Sequence, residues 1–156
     1  MVILYTALNT IAAYLLIRIA GSILKIDMTN RRRWTIALLQ AVLFRLQFAF
    51  IDSLSIRLAM QVVFYVFLFR YVGKLRLGQA AAHTMVILLV TTVMEMLSFG
   101  LLSMAIPDYA VYQTLDSFYL FMLILYVGVI GLTYSLVRRL GPKKKPSKHT
   151  MNVTTL

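Results

Sequence analysis

Apolar residues run almost unbroken through residues 2–24, 34–51, 56–71, 79–106 and 115–137, with short polar breaks between them. Within each run they are continuous rather than alternating, as at residues 62–69. About 20 apolar residues in a helix, rising 1.5 Å each, cross a hydrocarbon core of about 30 Å. Helices also satisfy their own backbone in lipid, whereas a barrel needs strands that alternate in polarity. The pattern therefore predicts an all-α membrane protein, a bundle of five transmembrane helices over residues 1–140. Residues 52–55 form a tight turn without Gly or Pro, and Pro107 with Asp108 stops the fourth run. Gly141 and Pro142 open a basic tail, 141–156, expected to be disordered because it has too little apolar area to offset ordering. The fourth run is long enough to tilt. The second and third are the shortest, and Arg45 interrupts the second. A re-entrant hairpin is the alternative for these two.

Charge decides between those alternatives and orients the bundle. Sixteen Lys and Arg stand against five acids, a net charge of +11, in a chain that is 61% hydrophobic. Most of the positives fall in three clusters, residues 25–33, 70–76 and 138–148, after the first, third and fifth runs. The breaks after the second and fourth hold Asp52, Asp108 and Asp116 with Arg57 as the one positive. Positive residues favour the cytoplasmic side. Five crossings alternate correctly with the N-terminus outside and the C-terminus cytoplasmic; a hairpin would put one cluster opposite the other two. This is the arrangement of a multi-pass protein of a bacterial inner (cytoplasmic) membrane. Net charge alone would admit nucleic acid, but these positives flank apolar runs rather than forming one basic face, so no nucleic-acid partner is expected. Arg31, Arg32, Arg33, Lys74, Arg76, Lys143, Lys144 and Lys145 are the expected contacts to an anionic leaflet or to a membrane or cytoplasmic protein partner, a second copy included.

Few residues carry candidate chemistry. Glu95 lies deep in the fourth run, where a carboxylate is costly and faces a partner or a wet cavity. Arg45 is its expected partner: counted from the cytoplasmic boundary, Arg45 lies about 16 Å and Glu95 about 24 Å into the membrane at 1.5 Å per residue. Two roles stand for this pair, a ligand- or proton-responsive site in the outer half of the bundle, or an ion pair that fixes helix register. Arg18 can reach the headgroups from the first run. His83 is a candidate pH-sensitive group or an interfacial hydrogen-bonding residue. No second His stands at ligand spacing, and there is no Cys, so no metal site, disulfide or cofactor is expected. Asn9, Gln40, Gln47 and Gln61 read as interhelical hydrogen-bonding residues. Glu95 and His83 are about 18 Å apart along one helix, too far to act together. No phosphate loop, nucleophile elbow or zinc-hydrolase motif occurs, so an enzyme is not expected.

The stretch Lys74-Leu75-Arg76-Leu77-Gly78-Gln79-Ala80-Ala81-Ala82, followed by Ile87 to Leu89 and Glu95, and the preceding Phe67-Leu68-Phe69-Arg70-Tyr71, give the chain a recognisable outline. Over residues 40–140 it resembles the membrane sensor portion of the peptide-pheromone histidine kinases of Gram-positive bacteria, the accessory-gene-regulator receptor type. That family reads an extracellular peptide and drives a cytoplasmic kinase. This sequence departs from it: dimerisation helices with a phosphoacceptor His and an ATP-binding segment are absent from it. The resemblance thus implies sensing or partner binding without phosphotransfer. In size and basicity the chain is also similar to the rod-shape-determining membrane subunit and to substrate-binding components of vitamin transporters, although it carries no motif of either. The expected function is a non-catalytic sensor-like or regulatory membrane module. The alternative is a small subunit of a transporter or membrane-assembly complex.

Overall fold

The computed structural model describes residues 2–105 and 116–140. They form helices throughout, with no strand among the described residues: α1 Val2–Leu24, α2 Asn30–Phe50, α3 Leu54–Tyr71, α4 Leu77–Ala105 and α5 Asp116–Leu140. The expected stop at Pro107 and Asp108 and the tail with Lys143, Lys144 and Lys145 lie outside the described residues. Helix α2 begins four residues earlier than its apolar run, because Arg31, Arg32 and Arg33 continue the helix as good helix formers. Three helices are long and apolar enough to cross a membrane, over Ile3–Leu24, Leu77–Ser98 and Phe121–Arg139. The chain is accordingly an all-helical membrane protein.

Helix ends explain how so few connecting residues suffice. Lys25 adopts a left-handed conformation (φ 55°), and the Ile26 amide donates back to the Gly21 carbonyl at 3.0 Å. That is a Schellman close to α1. A Cβ on Gly21 would lie 3.0 Å from the Ile26 carbonyl oxygen. At the end of α3, Lys74 takes the same conformation (φ 57°), while Gly73 and Leu75 donate to Leu68 and Phe69. A Cβ on Gly73 would meet the Phe69 carbonyl oxygen at 2.5 Å and the Met28 sulfur at 3.2 Å. Only glycine fits there. The two basic connectors are therefore tightly made and touch each other through Met28.

Helix α1 sits centrally, packed on α2, α4 and α5, while α3 bridges α2 and α4. One broad face of α1 is buried, including Leu16, Ile17, Ile19 and Ala20. Ile36 and Ala37 of α2, Phe69 of α3, Ala80 and Ile87 of α4 and Ile130 of α5 close around it. The outward faces remain apolar, with Leu38, Val63, Leu89 and Leu132 all exposed. Such surfaces suit acyl chains as solvent rather than water.

Candidate functional site

Spacing along three helices builds the site. Arg57, Gln61 and Tyr65 recur every four residues on α3, and Gln40, Phe44 and Gln47 recur at four and three on α2. Thr91, Glu95 and Ser98 do the same on α4. At 3.6 residues per turn each set falls on one face. All these faces turn toward a central cavity of about 390 Å³, which all five helices line, with Asn9 from α1 and Tyr126 from α5 completing its polar wall. The volume falls in the range of small-molecule sites, about 300–1,000 Å³.

The cavity is graded along the bundle. Toward the connector between α2 and α3 it holds Gln47, Arg57 and Glu95; deeper lie Gln40, Tyr65 and Thr91. The Arg57 guanidinium donates to the Asp52 carbonyl at 3.4 Å, which ties it to the connector. Tyr126 of α5 stands in the same lining as Thr91 and Glu95 of α4. Gln40 and Gln47 are 3% and 5% exposed. Neither the amide nitrogen nor the oxygen of Gln40 finds a protein partner, and nor does the amide nitrogen of Gln47. Unpaired buried amides are costly, about 1–3 kcal/mol each, which sets these groups apart in the lining. Among the described residues no three of His, Asp and Glu converge to hold a metal.

The structure does not bring Arg45 and Glu95 together. The Arg45 guanidinium lies over the Tyr5 ring, 5.4 Å from its centroid, a cation–π contact between α2 and α1. Glu95 instead lines the cavity, and the basic residue in that lining is Arg57. Arg45 follows the lining residue Ala41 by one turn of α2, but its guanidinium turns aside to the Tyr5 ring of α1 rather than into the cavity. Of the residues expected to hydrogen-bond between helices, Asn9, Gln40, Gln47 and Gln61 all line the cavity, and Gln40 makes no such bond within the protein.

His83 is fully buried, away from the cavity lining. Its Nε2 lies 3.3 Å from the Ile17 carbonyl, its Nδ1 has no partner, and its ring tilts against Phe69 at 4.6 Å. Arg18 does more than reach for headgroups: it contacts the Tyr14 hydroxyl at 3.5 Å and lies 4.9 Å from the Tyr134 ring centroid. Trp34 stacks on Tyr14 at 4.2 Å, so α2, α1 and α5 are laced by one aromatic–cation series. Of the basic contacts, Arg33 pairs with Asp27 at 3.0 Å. Arg31, Lys74 and Arg76 are exposed and Arg32 is half-buried, on the side of the two basic connectors.

Comparison with known protein families, characterised proteins and solved structures finds no match to this chain. The site is therefore argued from its own residues. Arg57 lies at the head of the third run and reads in the sequence only as a positive on the outer side, not as a site residue. The signal that finds it is the four-residue repeat with Gln61 and Tyr65 along α3.

Proposed function

We propose that the chain is a non-catalytic, ligand-binding module of the bacterial inner membrane, with five crossings, the N-terminus outside and the basic connectors cytoplasmic. A small ligand occupies the central cavity and makes the hydrogen bonds that Gln40 and Gln47 lack within the protein. One observation carries this: two buried carboxamides, each with at least one polar atom lacking a protein partner, belong to residues that line a cavity built by all five helices. Occupancy would draw the helices together at Gln47, Arg57 and Glu95. Because α1 touches α2, α4 and α5, that change would reach the inner connectors, where Arg31, Lys74 and Arg76 meet an anionic leaflet or a protein partner. This is the behaviour of a sensor-like or regulatory module, in line with the resemblance to pheromone-receptor membrane domains.

The test is mass spectrometry of small molecules released from the chain after purification from its native membrane. A stoichiometric ligand is expected, lost on Gln40→Leu. Recovery of nothing, together with Glu95-dependent solute flux in proteoliposomes, would favour the transport-subunit reading instead. Topology has its own check, since the chain has no Cys. Impermeant maleimide on intact cells should label Ser53→Cys and spare Lys74→Cys; the reverse pattern would overturn the orientation.

A further inference from the structure

The lining of the cavity constrains what it can hold, and this inference rests on the ligand-binding reading above. Its charges cancel: one acid, Glu95, and one base, Arg57. A charged ligand would leave one of them opposed at membrane depth, so an uncharged head fits best. Four carboxamides, from Asn9, Gln40, Gln47 and Gln61, share the remaining polar wall with five hydroxyl groups. Each carboxamide offers a donor and an acceptor side by side, as each hydroxyl of a polyol does. Gln40 and Gln47 are seven residues apart, about 10.5 Å along the α2 axis. One small hydroxyl cannot serve both. Hydrogen-bonding groups must be spread over about that length, roughly two linked sugar rings. The rings of Phe44, Tyr65 and Tyr126 give apolar walls against which the C–H faces of such rings can pack.

The opening shows how the ligand enters. Leu58 of α3 and Thr92 and Glu95 of α4 line the cavity and are also exposed at the surface, so the cavity opens between these two helices. Thr92 and Glu95 both belong to the candidate span Leu77–Ser98. Glu95 lies 18 residues after Leu77, about 27 Å along the helix, near the far edge of a hydrocarbon core of about 30 Å. The mouth therefore faces the bilayer at the level where acyl chains give way to headgroups. Leu58 at its rim is apolar and half exposed.

We infer that the cavity binds the uncharged polyol head of a membrane amphiphile of the glycolipid class, its hydrocarbon tail leaving between α3 and α4 into the bilayer. The head reaches inward to Gln40, and the tail stays in lipid beside Leu58 and Thr92.

Full-length chain held in amphipol is titrated with dodecyl maltoside below its micelle concentration and read by calorimetry. Two controls separate head from tail: maltose, which lacks the tail, and dodecyl dimethylamine oxide, which carries the same tail on a different head. The expected result is one maltoside per chain, with both controls at least tenfold weaker. Gln40→Leu and Gln47→Leu should each weaken maltoside at least tenfold while unfolding no earlier on heating than the parent. Maltose binding as tightly as maltoside would overturn the lateral tail exit. Amine oxide binding as tightly would overturn the polyol head. Undiminished binding to both Gln variants would place maltoside outside the cavity. If maltoside fails to bind while another molecule is recovered from the purified chain, the ligand class is wrong and the ligand-binding reading stands. Failure of both sinks both.

Discussion

The two halves of this bundle solve the polar-group problem in opposite ways. Toward the basic connectors, most polar groups are met by the structure: Thr84 donates to the Ala80 carbonyl, Arg70 to the Leu75 carbonyl, and His83 meets the Ile17 carbonyl through Nε2, with His83 Nδ1 and Arg33 Nε the exceptions. Ile17, Ala20, Ile36, Phe69 and Ala80 there are completely buried. Toward the connector between α2 and α3, the helices part around a cavity, and Gln40 and Gln47 keep amide groups without protein partners. Tight packing thus marks the first half, whereas the second leaves buried amide atoms without protein partners beside a cavity.

If that division is right, the largest losses of stability come from the connector half. Phe69→Ala removes a fully buried ring stacked on Tyr65 and tilted against His83. It should cost about 3–5 kcal/mol in reversible unfolding from mixed micelles. A cost below about 1 kcal/mol, within the range of ordinary surface changes, would erase the contrast between halves.

Gly73→Ala forces a methyl to within 2.5 Å of the Phe69 carbonyl oxygen. A cost of about 1–3 kcal/mol is expected, as for other overpacked sites. The same unfolding measurement checks it, and a neutral result would mean that the connectors are looser than drawn here.

A smaller effect sharpens the cavity half. Arg45→Leu should lose the cation–π contact with Tyr5, about 0.5–2 kcal/mol. Combined with Glu95→Leu, the two effects should add to within about 0.5 kcal/mol, as for residues that do not touch. A coupling above about 1 kcal/mol would restore the direct pair that the sequence first brings to mind. Tyr5→Leu, by contrast, should couple measurably to Arg45→Leu.

Much of this was legible before any coordinates. Continuous apolar runs fix helices in lipid, so five helices and their approximate limits follow from hydropathy alone. Glu95 stood out because a lone acid at membrane depth is rare. Its partner did not follow, because depth along a helix axis says nothing about where a side chain turns; Arg45 came within about 8 Å of Glu95 in depth, yet its guanidinium goes to the Tyr5 ring of α1. Arg57 fell inside the third run but read only as the one positive of the outer side, and α3, from Leu54, turns it into the cavity lining. The gaps of four between Arg57, Gln61 and Tyr65, and of seven between Gln40 and Gln47, were present in the sequence throughout. What no spacing reveals is that neighbouring helices stop short of filling the space between those faces. That depends on how α1 is surrounded, which the three-dimensional packing alone determines.

The central claim is that Gln40 and Gln47 serve a ligand rather than the fold. Its most direct test is the unfolding midpoint of the double variant Gln40→Leu with Gln47→Leu, measured without added ligand after exhaustive delipidation. Replacing unpaired buried amides by apolar groups of similar size removes a desolvation cost, so the account predicts a variant as stable as the parent or more stable, by up to about 2 kcal/mol. A loss of 2 kcal/mol or more would contradict it, because the two carboxamides would then be holding the helices together.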